Sequence, residues 1–111
     1  MAKINIKDLM TIERILLEIE TKFKFSIMFG DAYNLHRYLI EVGKVTSYAF
    51  LIQDEFNEKY HDAEKLKEYH EMVMESYVDF DFEEIVKFID EIQSQIGDDK
   101  LNTLIDSLRF W

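Results

Sequence analysis

The sequence predicts a mainly α-helical protein, a bundle or hairpin of about five helices around one long central helix, with a small two-stranded β-ribbon. Helix breakers are scarce, because the 111 residues include three glycines and no proline. Through most of the chain, apolar residues recur at three-and-four spacing, which is the pattern of one buried helix face. Two short segments alternate with a period of two instead. Because no segment has the composition of a flexible linker, we expect residues 1–111 to form a single domain.

The two segments with a period of two are residues 2–7 and 78–82. An unpaired, buried backbone is costly, so two isolated strands in a helical protein are expected to pair with each other. Such pairing would also place positive side chains opposite negative ones, which stabilises a ribbon. The expected pairs join Lys3 and Lys7 to Asp79 and Asp81.

The longest predicted helix runs from about Ser26 or Asp31 to Tyr60. Its apolar residues repeat close to every 3.5 positions, the coiled-coil period, and are interrupted near Thr46. At about 1.5 Å per residue such a helix reaches roughly 45–50 Å, too long for a compact domain with a radius of gyration of about 13 Å. We therefore expect it either to bend near Gly43 or to pack its far end on something else. The apolar stripe comprises Met28, Ala32, Leu35, Leu39, Val42, Ala49, Ile52 and Phe56.

Four shorter helices are predicted from N-cap residues and apolar spacing. Their ranges are 8–21, with Asp8 as the N-cap, then 62–77, 82–95 and a last one starting at residue 98 or 99. Asp81 and Glu84 form a candidate capping box for the helix over 82–95, and Gly97 is its natural C-cap. The last helix would turn its leucines and isoleucine toward the core, and the final Phe110-Trp111 would either join the core or dock on a partner. The core-facing residues would be Leu101, Leu104, Ile105 and Leu108.

Negative charge is concentrated in residues 54–99. That segment holds 16 of the 23 acidic residues and four basic ones, a net charge of −12, whereas the rest of the chain holds seven acidic and nine basic residues, a net charge of +2. A concentrated negative field attracts basic surfaces and repels nucleic acid and anionic membranes. We therefore expect a protein partner with a basic surface and no direct binding to nucleic acid or membranes. Imitation of DNA phosphates by carboxylates is a second interpretation of the same charge.

The residues that usually carry chemistry do not form a recognisable catalytic or metal site. Glu58 and His61 fit half of a di-metal Glu-x-x-His motif, but a second copy of that motif is missing. Asp79 and Asp81 could pair as catalytic carboxylates, although an outward face of the ribbon explains them more simply. The serines lie in no triad context, and the glycines are too scattered to hold a phosphate. We expect neither enzyme activity nor a bound cofactor or metal ion.

The sequence also bears on the compartment and on surface chemistry. The chain has no cysteine, which fits a reducing compartment. Its first residues lack the apolar stretch of a signal peptide, and no apolar run approaches the ~20 residues of a membrane span. A cytoplasmic protein is therefore expected. Five tyrosines and two methionines around the central helices fit either an interface or the rim of a core. These are Tyr33, Tyr38, Tyr48, Tyr60, Tyr69, Met72 and Met74.

Residues 3–9, 56–60 and 78–82, together with a leucine-rich C-terminal helix, give the chain a layout that resembles small helical proteins encoded by bacteriophages and prophages. The chain departs from those proteins at Phe25-Ser26, where they often have a proline. The resemblance implies an origin in a mobile element and no enzyme activity. It transfers no functional residues.

Two functional hypotheses follow from these observations. The first is a small acidic protein that binds and blocks a basic partner, such as a nuclease, a toxin or a host defence component. The alternative is a structural or assembly protein that self-associates into a homo-oligomer through the apolar stripe of its long helix. For the first hypothesis, the predicted partner-binding residues are Glu64, Glu68, Glu71 and Glu75.

Overall fold

The computed structural model describes residues 3–97 together with residues 99, 102, 103 and 106. In the described part the protein is mainly α, with four α-helices, one of 31 residues, and a two-stranded antiparallel sheet. Of the predicted fifth helix, the described residues 99, 102, 103 and 106 are helical, whereas its leucine face and the final Phe110-Trp111 lie outside the described residues. The elements in chain order are β1 (Lys3–Asn5), α1 (Ile6–Phe23), a 3-10 turn (Lys24–Ser26), α2 (Phe29–Lys59), α3 (Ala63–Glu75), β2 (Tyr77–Asp79) and α4 (Glu83–Ile96).

The sheet is shorter than the predicted ribbon. β1 pairs with β2 in a register that places Lys3 opposite Asp79, as expected from their charges. The expected place of Lys7 and Asp81 in the ribbon is wrong, because the chain has already turned into α1 at Ile6 and β2 ends at Asp79. The backbone N–H of Ile6 still donates a 3.0 Å hydrogen bond to the carbonyl oxygen of Ser76, the residue before β2. This bond joins the start of α1 to the sheet.

Helix α1 supplies the centre of the core. Its N-cap is Asn5, whose Oδ1 accepts a 2.8 Å hydrogen bond from the N–H of Asp8, so the predicted N-cap Asp8 is wrong. Asp8 lies instead in the first turn, where its charge is favourable beside the helix N-terminus. One face of the helix is fully enclosed by α2 and α4. The buried residues of the main core are Ile4, Leu9, Ile12, Ile15, Leu16, Ile19, Leu35, Val42, Ile85, Phe88, Ile89 and Ile92.

Helix α2 extends along the whole molecule. A helix of 31 residues is about 46 Å long at 1.5 Å per residue, which matches the longest dimension of the protein, 47 Å. The helix is continuous through Gly43, and its far end packs on α3, so the second of the two expected arrangements is the one observed. The predicted stripe is buried at Leu35, Val42 and Ala49, whereas Met28 is 73% exposed.

Thr46 does not interrupt the buried face of α2. Its side chain is 2% exposed, and its hydroxyl donates a 2.7 Å hydrogen bond to Oε2 of Glu13 on α1. The same hydroxyl lies 3.3 Å from the carbonyl oxygen of Val42, so it has a partner within its own helix as well. A polar residue therefore continues the core stripe, because a carboxylate on the neighbouring helix satisfies it.

Helix α4 confirms one predicted cap and contradicts the other. Gly97 ends the helix with a left-handed backbone, φ 63°, and its N–H donates to the carbonyl oxygen of Gln93. The capping box of Asp81 and Glu84 does not form, because Phe82 is the N-cap residue and no side chain caps the helix there. Among the helices of the described part of the chain, none combines the length and apolar character that a membrane crossing requires.

Candidate protein-binding surface

Local hydrogen bonds fix the first and last residues of helix α3. Asp62, where the predicted helix begins, is the N-cap, and its Oδ1 accepts from the N–H groups of Glu64 and Lys65 at 2.9 and 3.4 Å. At the other end the N–H of Ser76 donates to the carbonyl oxygen of Val73, and the chain enters β2 directly. The helix therefore has a fixed start and passes into the sheet without a flexible connection.

Aromatic side chains hold α3 against the far end of α2. The ring of Phe56 stacks on Tyr69 with their centroids 4.1 Å apart, and it also contacts Tyr60 at 4.6 Å. The ammonium groups of Lys59 and Lys65 each lie 5.6 Å from the centre of the Tyr60 ring, within the range of a cation–π contact. These contacts order a helix that buries a single residue, Val73.

The outward face of α3 carries the four glutamates predicted from the sequence as a partner-binding site. At about 100° per residue, all four side chains point to the side opposite the buried Val73, within roughly 40° of one line. From first to last they extend about 16 Å along the helix at 1.5 Å per residue. Each of the four is exposed. We call this set the acidic row: Glu64, Glu68, Glu71 and Glu75.

Basic side chains do not neutralise the acidic row within the described part of the chain. Lys65 and Lys67 flank the row on α3, yet the ion pairs formed by described residues involve other glutamates, namely Glu18, Glu20 and Glu41. Neighbouring like charges at i,i+3 and i,i+4 destabilise a helix by about 0.2–0.5 kcal/mol each. Lys65 and Lys67 stand three or four residues from Glu64, Glu68 and Glu71 and offset part of this repulsion, but no ion pair among the described residues accounts for the row.

A second acidic surface, which the sequence did not reveal, is a cleft of about 370 Å³ between α2, α4 and the segment after β2. Asp79 and Asp81, weighed above as a catalytic pair or as the face of the ribbon, both lie at its edge, in exposed positions. Two stretches far apart in sequence, 37–41 and 79–85, build the cleft, so no local pattern predicts it. We call it the acidic cleft, and its lining comprises Arg37, Tyr38, Glu41, Asp79, Phe80, Asp81, Glu84 and Ile85.

Tyr38 is held in the acidic cleft by contacts with α4. Its hydroxyl donates a 3.0 Å hydrogen bond to Oε1 of Glu84, and its ring meets Phe88 edge to face at 5.1 Å. Burial raises the pKa of the Tyr38 hydroxyl above its usual 10.0, and the hydrogen bond and charge of Glu84 raise it further, while Arg37 opposes the shift. The cleft can therefore offer carboxylates to a cationic group beside a neutral, fixed tyrosine.

The three histidines have different surroundings. Helix α2 ends at Lys59, so Glu58 and His61 no longer share a helix face and the half-motif has no structural basis. His70 is bonded through Nδ1 to Oε1 of Gln53 at 2.6 Å, and His36 faces Glu20 at 3.9 Å. Within the described ranges, no group of three or more histidine, cysteine or acidic side chains is arranged to hold a metal ion.

Comparison with known proteins gives no relative for this chain: no family model, no curated protein and no solved structure matches it.

Proposed function

We propose that this protein is a small, non-enzymatic binding protein that blocks a basic partner protein with the acidic row of α3. The observation that carries the proposal is the row itself: four exposed carboxylates, aligned on one helix face, without a neutralising ion pair among the described residues. The partner would be a nuclease, a toxin or a host defence component. An origin in a mobile element, which the resemblance of the chain's layout to small phage and prophage proteins implies, is part of the same proposal.

Electrostatics gives this arrangement a clear advantage in association. The 16 acidic residues of the 54–99 segment set up a negative field, which steers a basic partner toward the surface and raises the association rate. Apolar contact area is needed in addition, because charged pairs at a rim contribute little affinity by themselves. Met72 on α3 and Tyr77 just beyond it are each at least half exposed and supply such area beside the row.

Affinity capture with two matched variants tests the proposal. The row variant carries glutamine at all four positions of the acidic row. The cleft variant carries Glu41→Gln, Asp79→Asn, Asp81→Asn and Glu84→Gln. Each variant loses four negative charges, so the net charge changes from −10 to −6 in both. The baits are the wild-type protein and both variants, each shown by circular dichroism to be folded. They are incubated with lysate of the organism that encodes the chain.

We expect a basic protein to be retained by the wild type and by the cleft variant and to be lost from the row variant. Retention should fall as salt rises, since screening weakens exposed charge pairs beyond about 10 Å at 0.1 M salt. Equal loss from both variants would show that net charge alone matters and would overturn the proposed site. Loss from the cleft variant alone would move the site to the acidic cleft.

Self-assembly is the second candidate function, but the apolar stripe predicted to carry it is buried and cannot serve as its surface. The stripe proposed for self-association is the inner face of α2, where Leu35 and Val42 are fully buried and Leu39 packs on the same core. Leu39→Glu is therefore expected to unfold the monomer rather than to dissociate an oligomer. Exposed apolar residues elsewhere on α2, among them Tyr33, Ile40 and Leu51, keep self-association as a candidate.

A further inference from the structure

Strand β2 pairs with β1 on one side and directs backbone groups outward on the other. In an antiparallel ladder, hydrogen-bonded pairs alternate with pairs whose N–H and C=O groups point away from each other. The bond from the Ile6 N–H to the carbonyl oxygen of Ser76 fixes this alternation in the observed register. Val78 therefore bonds to β1, whereas the N–H and C=O groups of Tyr77 and Asp79 point away from it. We call these outward groups of Tyr77 and Asp79 the open edge.

The open edge is accessible and held in place. Tyr77 is 65% exposed, and Asp79 is exposed as well. Within the described ranges, the backbone hydrogen bonds outside the helices and the sheet do not involve either residue, and the ion pairs do not involve Asp79. Val78 lies between them and packs on the core, which fixes the strand. The edge thus presents alternating backbone donors and acceptors, as the addition of a strand requires.

Charges around the open edge determine which segment can pair with it. Glu75 lies just before β2, and Asp79 and Asp81 lie at its other end, where the acidic cleft begins. A second copy of the chain would bring its own carboxylates against these, which disfavours pairing between copies. Lys3 is the residue opposite Asp79 on β1, on the other side of the strand. The open edge is therefore complementary to an extended segment that carries lysine or arginine on the face shared with Asp79.

The acidic cleft offers space for a further basic side chain beyond the end of β2. Its volume of about 370 Å³ lies at the small end of the ~300–1,000 Å³ range of ligand pockets. Its lining combines carboxylates with the rings of Tyr38 and Phe80, which suits the alkyl stem and charged head of a long basic side chain. Four acidic lining residues face one basic residue, Arg37, and Glu41 has a second cation, Lys44, at 3.5 Å. The cleft keeps an excess of negative charge.

We propose that the open edge of β2 binds an extended basic segment of another protein, which adds to the sheet as a third, antiparallel strand. Alternate residues of the segment exchange backbone hydrogen bonds with Tyr77 and Asp79. Directly opposite residues of an antiparallel pair share one face of the sheet, so these same residues of the segment carry its basic side chains. A further basic side chain enters the acidic cleft beyond Asp79. This site goes beyond the proposed function, because it needs no contact with the acidic row.

Fluorescence anisotropy with a defined peptide tests the proposal. The probe is a fluorescein-labelled peptide of alternating lysine and valine, titrated with the full chain at low salt, and saturable binding is expected. One version carries methyl groups on two internal lysine backbone nitrogens, and a matched version carries them on two valine backbone nitrogens. Lysine residues direct their N–H groups toward β2 in the proposed pairing, so the first version should bind about tenfold or more weakly. The second should bind within about threefold of the unmethylated peptide.

Two substitutions at Tyr77 test the same bonds from the side of the protein. Tyr77→Pro removes the outward N–H without loss of a bond to β1, as proline allows on an edge strand. Ser76 already has the extended backbone that precedes a proline, with φ −71° and ψ 143°. Tyr77→Ala removes the side chain but keeps the N–H. With folding verified by circular dichroism, Tyr77→Pro should bind the peptide about fivefold or more weakly than Tyr77→Ala. The methylated peptides decide the question if Tyr77→Pro does not fold.

The two variants of equal net charge separate this site from the acidic row. The cleft variant should bind the peptide about tenfold more weakly than the wild type, and the row variant within about threefold of it. Failure of this result leaves the proposed binding by the row unaffected, and the reverse holds as well. The proposal would be overturned by a wild type without saturable binding, by equal affinity for the two methylated peptides, by equal affinity of Tyr77→Pro and Tyr77→Ala, or by equal weakening in the row and cleft variants.

Discussion

Removal of the acidic row should make the protein more stable. The row contains three neighbouring pairs of like charges, at spacings of four, three and four residues. Each such pair destabilises a helix by about 0.2–0.5 kcal/mol, and three opposite-charge pairs at the same spacings, Glu64–Lys67, Lys65–Glu68 and Lys67–Glu71, offset part of this repulsion. Because none of those three closes to an ion pair among the described residues, the row variant should still gain stability, up to roughly 1 kcal/mol in the free energy of unfolding. The helix dipole changes this sum little, because Glu64 in the first turn is favoured by it and Glu75 in the last turn is disfavoured by a similar amount.

Urea denaturation at low ionic strength, followed by circular dichroism, measures this gain. The midpoint should rise while the slope stays constant, because the surface exposed on unfolding does not change. The gain should shrink as salt is added, since screening removes the repulsion in the wild type. Among single variants, Glu68→Gln removes two of the three pairs and Glu64→Gln one, so the first should be the more stabilising.

A destabilised row variant would refute this reasoning. Such a result would mean that the carboxylates make favourable contacts within the fold, and the row would then have a structural explanation. A gain that persists at high salt would also contradict the electrostatic origin, because it would point to glutamine's helix propensity or to the unfolded state.

Three further predictions concern other parts of the molecule. Thr46→Val removes the hydroxyl that donates to Glu13 and should cost about 1–3 kcal/mol of stability by urea denaturation, because the carboxylate loses its partner. Gly97→Ala forces a side chain into a left-handed backbone and should cost about 1 kcal/mol in the same assay. A spectrophotometric titration, read as the difference between the wild type and Tyr38→Phe, isolates the ionisation of the Tyr38 hydroxyl, which should occur above pH 10.0. Glu84→Gln should lower the Tyr38 pKa toward its usual value without reaching it, because burial still raises it. The pKa of Tyr38 in the folded protein lies above the unfolded value of 10.0. The contribution of Tyr38 to stability should therefore be fully present below pH 10.0 and be lost as the pH rises through the higher pKa of the folded state.

Local features of the fold could be predicted from the sequence. The scarcity of glycine and proline predicts the long helix α2, α3 begins beside Asp62 as predicted, and Gly97 ends α4. The facing pair of Lys3 and Asp79 follows from period-two patterns and opposite charge. Each of these depends on residues that are neighbours in sequence or on one simple pairing rule.

Features that depend on distant partners could not be predicted. Thr46 looks like a break in the apolar stripe until Glu13, 33 residues earlier, is seen to accept its hydroxyl. Both Asn5 and Asp8 are good N-cap residues, and Asn5 caps the helix because β1 ends there against β2. The acidic cleft combines two distant stretches of the chain, 37–41 and 79–85. By contrast, the alignment of the acidic row follows from three-and-four spacing on one helix, which is why the sequence alone located it.

The most direct test of the central proposal is the affinity of the captured partner for the row variant and the cleft variant at equal net charge. Isothermal titration calorimetry at two salt concentrations gives both the affinity and its dependence on charge. The proposal predicts that the row variant binds at least about tenfold more weakly than the wild type, while the cleft variant binds within about twofold of it. Equal weakening of both variants, or affinity that is independent of salt, would contradict it.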